Sequence, residues 1–244
     1  MSGLASEDGH DTDPAEAAAK FADLLNGVFA SLGETVVTFR ELSENATTHG
    51  RRLRRSDLNA LHPVLFRHLQ RHQDLIMGTG VVLAPGLLAD APMWLEWWRS
   101  SPGDAPSALK LDLDPTSLGF YDYTQAEWYA APSRGTTRAV VGPFVDFGGT
   151  NEYTLAVTVP ITERDSFLGV SGADLWATRL EAAARRLMRG LGREVVLVNG
   201  DDRVLASRSP RLVMGALVRD TGGATRYPCP GLPWSLIDLR GSAE

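Results

Sequence analysis

The first long segment of the chain carries apolar residues at three- and four-residue spacing, which is typical of an amphipathic helix. The apolar stripe consists of Phe21, Leu25, Val28, Leu32, Val36, Phe39 and Leu42. The stripe extends over about 25 residues, which is longer than a single small sheet can cover. We therefore predict that part of it packs on a second copy of the chain. The pattern therefore predicts a long N-terminal helix and a homodimer formed through it.

Downstream of Asp74 the pattern changes to short apolar runs separated by glycine and proline, which indicates β-strands. The predicted strands span residues 76–85, 93–99, 109–114, 139–147, 152–161 and 167–175. In the fifth of them, Leu155 and Val157 alternate with Ala156 and Thr158. This strand therefore has one large apolar face that suits a core and one small, partly polar face that suits a pocket.

The C-terminal third contains a predicted helix over 176–191 and then a hairpin, indicated by an Asn-Gly-Asp turn that begins at Asn199 between two apolar runs. A last strand is predicted over 233–239. Strands connected in series, with helices collected mainly at the N-terminus, indicate an α+β domain around an antiparallel sheet. The segment 192–244 has two interpretations, a truncated second module or an extension of the first sheet.

Composition and charge restrict the function. With 43% hydrophobic and 22% charged residues, the 244-residue chain has the composition of a folded globular protein. Its net charge of -6 disfavours nucleic acid as a partner, because phosphate binding needs a basic face. Cys229 is the only cysteine, so neither an intramolecular disulfide nor a cysteine-based zinc site can form.

The N-terminal residues 1–14 are polar and acidic, and we predict that they form a disordered lead-in. They lack the basic start and apolar run of a secretory signal. No stretch of the sequence approaches the roughly 18 consecutive apolar residues of a membrane span. We therefore expect a soluble, cytoplasmic protein that has no membrane partner.

Two basic clusters could bind an anion or a metal. The first comprises Arg51, Arg52, Arg54 and Arg55. It precedes a second predicted helix, which Ser56 or Asp57 would cap and which runs to Leu69. His68 and His72 lie one helical turn apart and could face a metal together. Because no third ligand is evident, we favour a solvated turn for the arginines and a solvated helix face for the histidines, and predict no metal site.

Four aromatic residues lie within nine positions of a predicted loop, namely Tyr121, Tyr123, Trp128 and Tyr129. A loop has no sheet or helix face on which to bury them, so they either fill the open edge of the sheet or line a ligand site. Asp146 and Asp174 end or flank later strands, and carboxylates beside aromatic faces recognise ammonium groups. The residues alone leave open a second interpretation, in which the aromatics are core residues and Asp174 caps the next helix.

Four segments occur in an order that resembles the Cache family of sensor domains, especially the ligand-binding module of double Cache proteins. They are WYAAP from Trp128, VVGPFVDF from Val140, YTLAVTVPIT from Tyr153 and FLGVSGADL from Phe167. The resemblance covers about Leu75 to Leu175. It implies a PAS-like antiparallel sheet of about five strands, a long N-terminal helix, and a ligand held beneath a lid that carries the Trp-Tyr pair. The implied ligand-binding module spans 15–191.

Carried over by position, the resemblance implies a pocket lined by Tyr121, Trp128, Tyr129, Phe144, Asp146 and Asp174. Members that sense amino acids have an arginine two residues before the Trp-Tyr pair, where this chain has Ala126. Without that guanidinium the ligand carboxylate has no natural partner, so we predict a cationic ligand, such as a biogenic or quaternary amine. The alternative is an amino acid whose carboxylate is held by Arg134 or Arg138.

No nucleophile elbow, Walker loop or dinucleotide fingerprint is present in the sequence, so we predict neither an enzyme nor a bound cofactor. A third possibility is an interaction protein whose pocket is filled by its own side chains. In each case the output would pass through a protein signalling or regulatory partner, or through assembly of the chain itself.

Overall fold

The computed structural model describes residues 13–100, 103, 105–146, 152–219 and 223–239, so most of the predicted lead-in lies outside the described residues. The chain divides into two compact units. The larger unit is Asn26–Arg179, and the smaller unit combines the described residues up to Leu25 with those from Leu180 onward. Each unit has one antiparallel sheet, which confirms the predicted α+β class.

Helix α1 spans Pro14–Thr48 and buries the apolar stripe predicted from the sequence. The fully buried members are Phe21, Leu25, Val28, Leu32 and Phe39, whereas Val36 and Leu42 are partly buried. The stripe is therefore covered by the chain itself and is not free to bind a second copy, which was the basis of the dimer prediction. Val37, on the outer side of the helix, is 57% exposed. A homodimer formed through α1 stays a prediction.

A 3-10 helix over Arg55–Leu61 leads into helix α2, His62–Arg71. Asp57 contributes to the cap, because its carboxylate accepts a hydrogen bond from the Arg54 backbone N–H at 2.8 Å. Pro63 lies in the first turn of α2, where a missing backbone N–H costs no helical hydrogen bond. The helix forms where it was predicted, but its first part is a 3-10 helix, and its N-cap is Arg54 instead of Ser56 or Asp57, with Asp57 at the third helical position.

The arginine cluster holds the turn before α2 through specific contacts. Arg51 and Arg55 each pair with an aspartate, at 2.7 Å and 3.3 Å. The Arg52 guanidinium donates to three consecutive backbone carbonyls that begin at Gly86. The hydrogen bond from Arg51 lowers the pKa of its partner carboxylate, Asp57. Three of the four arginines thus bind other parts of the chain, which gives the cluster a structural role.

His68 is buried at the contact between α1 and α2, so the prediction of a solvated helix face is wrong for this residue. Its Nδ1 lies 3.3 Å from Thr35 Oγ1, and its Nε2 lies 3.2 Å from Glu34 Oε2. His72 Nε2 lies 2.9 Å from Ser31 Oγ. Burial lowers the pKa of both histidines. Among the described residues, no group of three or more potential ligands is placed to hold a metal ion.

The sheet of the larger unit has six strands, β1 Ile76–Leu83, β2 Leu95–Arg99, β3 Ser107–Ala108, β4 Ala139–Val145, β5 Tyr153–Glu163 and β6 Ser166–Trp176. Their order is β3-β2-β1-β6-β5-β4, and each neighbouring pair is antiparallel. One face packs on the helices in a core that contains Val81, Leu83 and Phe39. Because side chains alternate, Gly80 and Val82 belong to the opposite face, here called the pocket face.

Residues 109–133 cross the pocket face and are called the lid; they include helix α3, Glu127–Ser133. The strand predicted over 109–114 is absent, because only Ser107–Ala108 pairs with β2. Leu109, Leu111 and Leu113 pack on the apolar cluster of the pocket face. The intervening aspartates accept backbone N–H groups within the lid. The alternation therefore belongs to an extended segment with one covered side, whose backbone is bonded only at isolated points: the Leu109 N–H donates to the Trp97 carbonyl, and the Asp112 carbonyl accepts from the Tyr121 N–H.

The smaller unit has four strands, β7 Val195–Val198, β8 Val204–Ser207, β9 Thr225–Pro228 and β10 Ser235–Asp238, in the order β8-β7-β10-β9. The Asn199 side chain accepts hydrogen bonds from the backbone of Asp201 and Arg203, and it closes the predicted hairpin turn. Strand β9 was not predicted because its residues are mostly exposed and lack apolar alternation. These strands form a sheet of their own.

The boundary between the units differs from the one predicted at residue 192. Helix α4 spans Ala177–Leu187, and its last residue, Leu187, lines the same small apolar cavity as Phe21 and Leu236. The Phe21 ring also lies 5.5 Å from the ring of Trp234. The start of α1 and most of α4 therefore belong to the core of the smaller unit. Among the described residues, no helix combines the length and the apolar character needed to cross a membrane.

Candidate functional site

A cavity of about 40 Å³ lies between the pocket face of the larger sheet and the lid. It is lined by Val82, Leu95, Trp97, Leu109, Leu111, Tyr121, Trp128, Phe144, Asp146, Ala156, Thr158 and Asp174. Five of the six predicted site residues are brought together here, and Tyr129 is the exception. Ala156 and Thr158 come from the small face of β5, which the sequence pattern indicated as a pocket wall.

The floor of the cavity depends on glycines that make room for Trp97. In the register of the sheet, Trp97 of β2 lies opposite Gly80 of β1, which lies opposite Gly172 of β6. A Cβ on Gly80 would approach the Trp97 Cα to 2.8 Å, and one on Gly172 would approach the indole Cη2 to 3.2 Å. Gly80 therefore lets the backbone of β2 lie close to β1, and Gly172 leaves room for the indole across the sheet.

Phe144 and Asp146 reach the cavity because β4 contains a bulge. Its register with β5 shifts between Val141 and Phe144, so that three steps on β4 match two steps on β5. The extra residue keeps Phe144 on the pocket face, and Asp146, two positions later, follows it. The backbone N–H of Asp146 donates to the carbonyl of Glu152 at 3.1 Å, which fixes the end of the strand.

The lid contributes Tyr121 and Trp128. Thr158 anchors α3 over the sheet, since its hydroxyl donates to the Trp128 carbonyl at 2.6 Å. Tyr129, predicted to line the pocket, lies instead behind Trp128 and is buried among aromatic side chains. Its ring centroid lies 5.2 Å from that of Tyr123 and 5.4 Å from that of Phe167. It faces away because neighbouring residues of a helix point in directions about 100° apart.

Asp174 has a strongly altered pKa. Burial, followed by repulsion from Asp146, raises the pKa of its carboxyl to about 7. The positive charge of Arg99 and the indole N–H of Trp97 oppose this change. The Trp97 N–H lies near the carboxylate but outside hydrogen-bond geometry, and it has no other partner among the described residues. Burial and both aspartates also raise the pKa of Tyr121.

The arrangement suits binding of a small cation. Two carboxylates and the rings of Tyr121 and Trp128 line one mainly apolar cavity, and these groups can attract a cation through charge and through cation–π contacts. Sequence reasoning missed the contributions of Trp97, Val82 and Leu95. Two sequence features could have indicated them. One is the alternation of β2, which places Leu95 and Trp97 on the same face, and the other is the Gly-Thr-Gly segment of β1, whose glycines lie beside Trp97.

The fold and the cavity define a ligand-binding sensor domain, and the comparison with family models agrees. The model described as methyl-accepting chemotaxis protein-like, first PDC sensor domain, matches residues 61–182, half of the chain. The chain belongs to this family. The resemblance to Cache sensor domains is thus confirmed. A search of curated protein sequences found no match.

Three solved structures illustrate the fold. The extracellular domain of a protein described as a histidine kinase is 16% identical, with a TM-score of 0.57 over 92% of this chain and 91% of that one. The ligand-binding domain of the amino acid chemoreceptor PctC of Pseudomonas aeruginosa PAO1, in complex with GABA, is 19% identical, with a TM-score of 0.56 and coverage of 92% and 95%. That of the Pseudomonas fluorescens chemoreceptor CtaA, in complex with L-valine, is 17% identical, with a TM-score of 0.56 and coverage of 95% and 97%.

The prediction of a cytoplasmic location is wrong. The family comprises sensor domains of the chemotaxis receptor type, and the similar histidine kinase domain is extracellular. These relatives point to an extracellular or periplasmic location. The prediction rested on two absences, of a secretory signal pattern and of a membrane-spanning stretch, and neither absence identifies a compartment.

Proposed function

We propose that the chain senses a cationic amine, which binds in the cavity between the lid and the pocket face. The observation that carries the proposal is the charge of the lining: it contains two carboxylates, Asp146 and Asp174, and no positively charged side chain among the described residues. The ammonium group would lie between these carboxylates, while Tyr121 and Trp128 would cover it with their ring faces.

The amino acid alternative needs a group that binds a carboxylate. Ala126 takes the place of the arginine expected in amino-acid sensors, and the two substitutes considered from the sequence are engaged elsewhere. Arg134 pairs with Glu127 at 2.8 Å. Arg138 donates to Asn26 at 2.9 Å and also contacts an aromatic ring outside the cavity. The proposal therefore favours an amine, although two of the similar structures are complexes with amino acids.

Matched pairs of ligands test the choice directly. Isobutylamine is valine without its carboxylate, and n-propylamine is GABA without its carboxylate. We expect calorimetry at pH 8 to give a Kd for each amine at least about 10-fold lower than for its amino acid, because an unpaired carboxylate costs free energy on desolvation. Tighter binding of valine or GABA would overturn the proposal in favour of the amino acid alternative. No binding by either series would favour an interaction protein without a small ligand.

The size of the cavity predicts that the lid moves on binding. A cavity of about 40 Å³ is well below the 150 Å³ of an apolar cavity that holds benzene. We expect hydrogen exchange in the lid, around Trp128, to slow on addition of isobutylamine, because the ligand orders the segment that covers it. Unchanged exchange across the lid at a saturating ligand concentration would contradict this prediction.

Substitution of the lid tryptophan tests the cation–π contact. Trp128→Ala is expected to weaken isobutylamine binding about 10-fold or more, which corresponds to about 1.4 kcal/mol of lost ring contact. Trp94→Ala is the matched control, because Trp94 packs on the core of the opposite sheet face. Equal effects of the two substitutions, measured by calorimetry on folded protein, would show that the lid ring does not contact the ligand.

The location and output of the sensor are also proposals. We propose that the domain acts outside the cytoplasm, supported by the location of its relatives, and that it passes its signal to a protein signalling partner. The homodimer through α1 would use the exposed side of that helix near Val37. Light scattering that shows a monomer at all accessible concentrations, with and without isobutylamine, would contradict the homodimer.

A further inference from the structure

Arg99 lies at the same level of the sheet as Asp174. In the register of the three strands, Arg99 of β2 is opposite Gly78 of β1, and Gly78 is opposite Asp174 of β6. Residues that lie directly opposite each other in antiparallel strands share a face, so all three belong to the pocket face. The sheet therefore places one positive and one negative side chain on either side of a glycine.

Gly78 leaves the space between these two charges open. A Cβ at this position would lie 2.7 Å from Trp97 Nε1 and 3.3 Å from Arg99 Cγ. Two strand spacings amount to roughly 10 Å, a distance that long side chains can cross only when the intervening residue is small. The glycine thus gives the guanidinium of Arg99 and the indole N–H of Trp97 access to the region around Asp174.

The contacts of Arg99 are consistent with a role at this carboxylate. Its Nε is buried and has no hydrogen-bond partner among the described residues. Its guanidinium does not line the cavity, so it would not contact a ligand there. Its charge nevertheless acts on Asp174 and favours the ionised carboxylate. Arg99 therefore lies behind the site and influences it through Asp174.

We propose that Arg99 is a positioning residue of the amine site, which acts across the gap at Gly78 to keep the Asp174 carboxylate charged near neutral pH. This inference rests on the proposed amine function. Without the guanidinium, burial and the neighbouring Asp146 would hold a proton on Asp174, and a cation would first have to displace that proton. Arg99 thus determines the pH range in which the sensor responds.

The sign of the pH dependence follows from the groups that face Asp174, which are Asp146 and Tyr121 on the cavity side and Arg99 behind it. In the free protein the pKa of Asp174 is about 7, and a bound cation favours the ionised form. The affinity for an amine is therefore expected to rise up to pH 7 and to level off above it. Replacing Arg99 with a neutral residue raises the pKa of Asp174. The pH at which the affinity levels off should therefore move upward by about 1 pH unit.

The experiment compares the wild type, Arg99→Gln, Arg99→Met and Arg99→Lys, with Lys110→Gln as a charge-matched control. Lys110 is exposed in the lid between two residues that line the cavity. Isobutylamine is the probe, because an aliphatic ammonium with a pKa near that of lysine, about 10.4, stays charged from pH 5.5 to about 9. We expect both neutral variants to bind about 10-fold more weakly at pH 6.5 but at least as tightly at pH 9. Arg99→Lys and Lys110→Gln should follow the wild type.

A loss of affinity that is the same at every pH would show that Arg99 has only a structural role and would overturn the proposal. Arg99→Met retains the apolar stem, so it serves as the test if Arg99→Gln does not fold. A ligand-free measurement separates this proposal from the amine function: carbon NMR of the Asp174 carboxyl, assigned with Asp174→Asn. An unchanged titration midpoint in both neutral variants would refute the role of Arg99 even if amines bind. A midpoint that moves upward would support its coupling to Asp174, whatever the ligand.

Discussion

Asp174→Asn is expected to abolish most amine binding and, at the same time, to stabilise the ligand-free domain above neutral pH. Loss of one partner of a buried charge pair costs about 3 kcal/mol, so the affinity for isobutylamine at pH 8 should fall roughly 100-fold. Calorimetry measures this change. The two effects have opposite signs because the carboxylate that attracts the cation is costly to bury when the cavity is empty.

The stability effect has a defined pH window. Burial raises the pKa of Asp174 from an ordinary value of 3.8 to about 7, so the folded state binds this proton more tightly than the unfolded state does. Below pH 3.8 the carboxyl is protonated in both states and the group contributes no penalty. Between pH 3.8 and 7 the penalty grows, and above pH 7 it is complete. Asparagine avoids it, so the variant should be more stable than the wild type by about 4 kcal/mol at pH 8, with little gain near pH 4.

The control for this prediction is Asp165→Asn. Asp165 is exposed in the turn between β5 and β6, and its backbone has a φ of 66°, a conformation that asparagine adopts readily. The substitution removes the same charge from the same unit, and it should change neither the affinity nor the pH dependence of stability. Full retention of amine binding in Asp174→Asn would contradict the placement of the ammonium group.

The local features of the site could be predicted from the sequence. The alternation in β5 predicted that Ala156 and Thr158 face a pocket, because side-chain direction in a strand depends only on position along the chain. The ordered motifs identified the aromatic and acidic residues, and the structure brings Tyr121, Trp128 and Asp174 to one cavity. These inferences need no knowledge of how the strands pair.

Features that depend on pairing were not predictable. The position of Trp97 over two glycines and the approach of Arg99 to Asp174 both follow from the register of β2, β1 and β6. A single sequence does not fix that register, because neighbouring strands come from distant segments. The burial of His68 between two helices is a tertiary contact of the same kind.

Other errors arose because one local pattern serves two structures. Alternation over residues 109–114 predicts a strand. An extended lid segment on an apolar surface also buries every second side chain, so it produces the same pattern. Part of the apolar stripe of α1 was assigned to a contact with a second copy, but the chain covers that stripe itself; the homodimer stays a prediction. In each case the pattern identifies a buried face without identifying what covers it.

Gly80→Ala tests the register on which the floor of the cavity depends, and we expect a loss of stability of about 3 kcal/mol or more. A Cβ at Gly80 would overlap the backbone carbonyl of Glu96 and would approach the Trp97 Cα to 2.8 Å. Both are backbone atoms of the neighbouring strand, so the clash cannot be relieved by rotating a side chain. Strands β1 and β2 would have to separate at the point where Trp97 crosses the sheet.

Gly33→Ala is the matched control, because the same atoms are added at a helical position where a Cβ would meet nothing within 4 Å. Alanine is favoured over glycine inside a helix, so this variant should be more stable than the wild type by about 0.5–1 kcal/mol. Urea unfolding of the larger unit, followed by tryptophan fluorescence, measures both changes. If Gly80→Ala were as stable as Gly33→Ala, then β2 would not lie against β1 in the register that carries Trp97 over Gly80. In that case the proposed approach of Arg99 to Asp174, which depends on the same register two residues further along β2, would also fail.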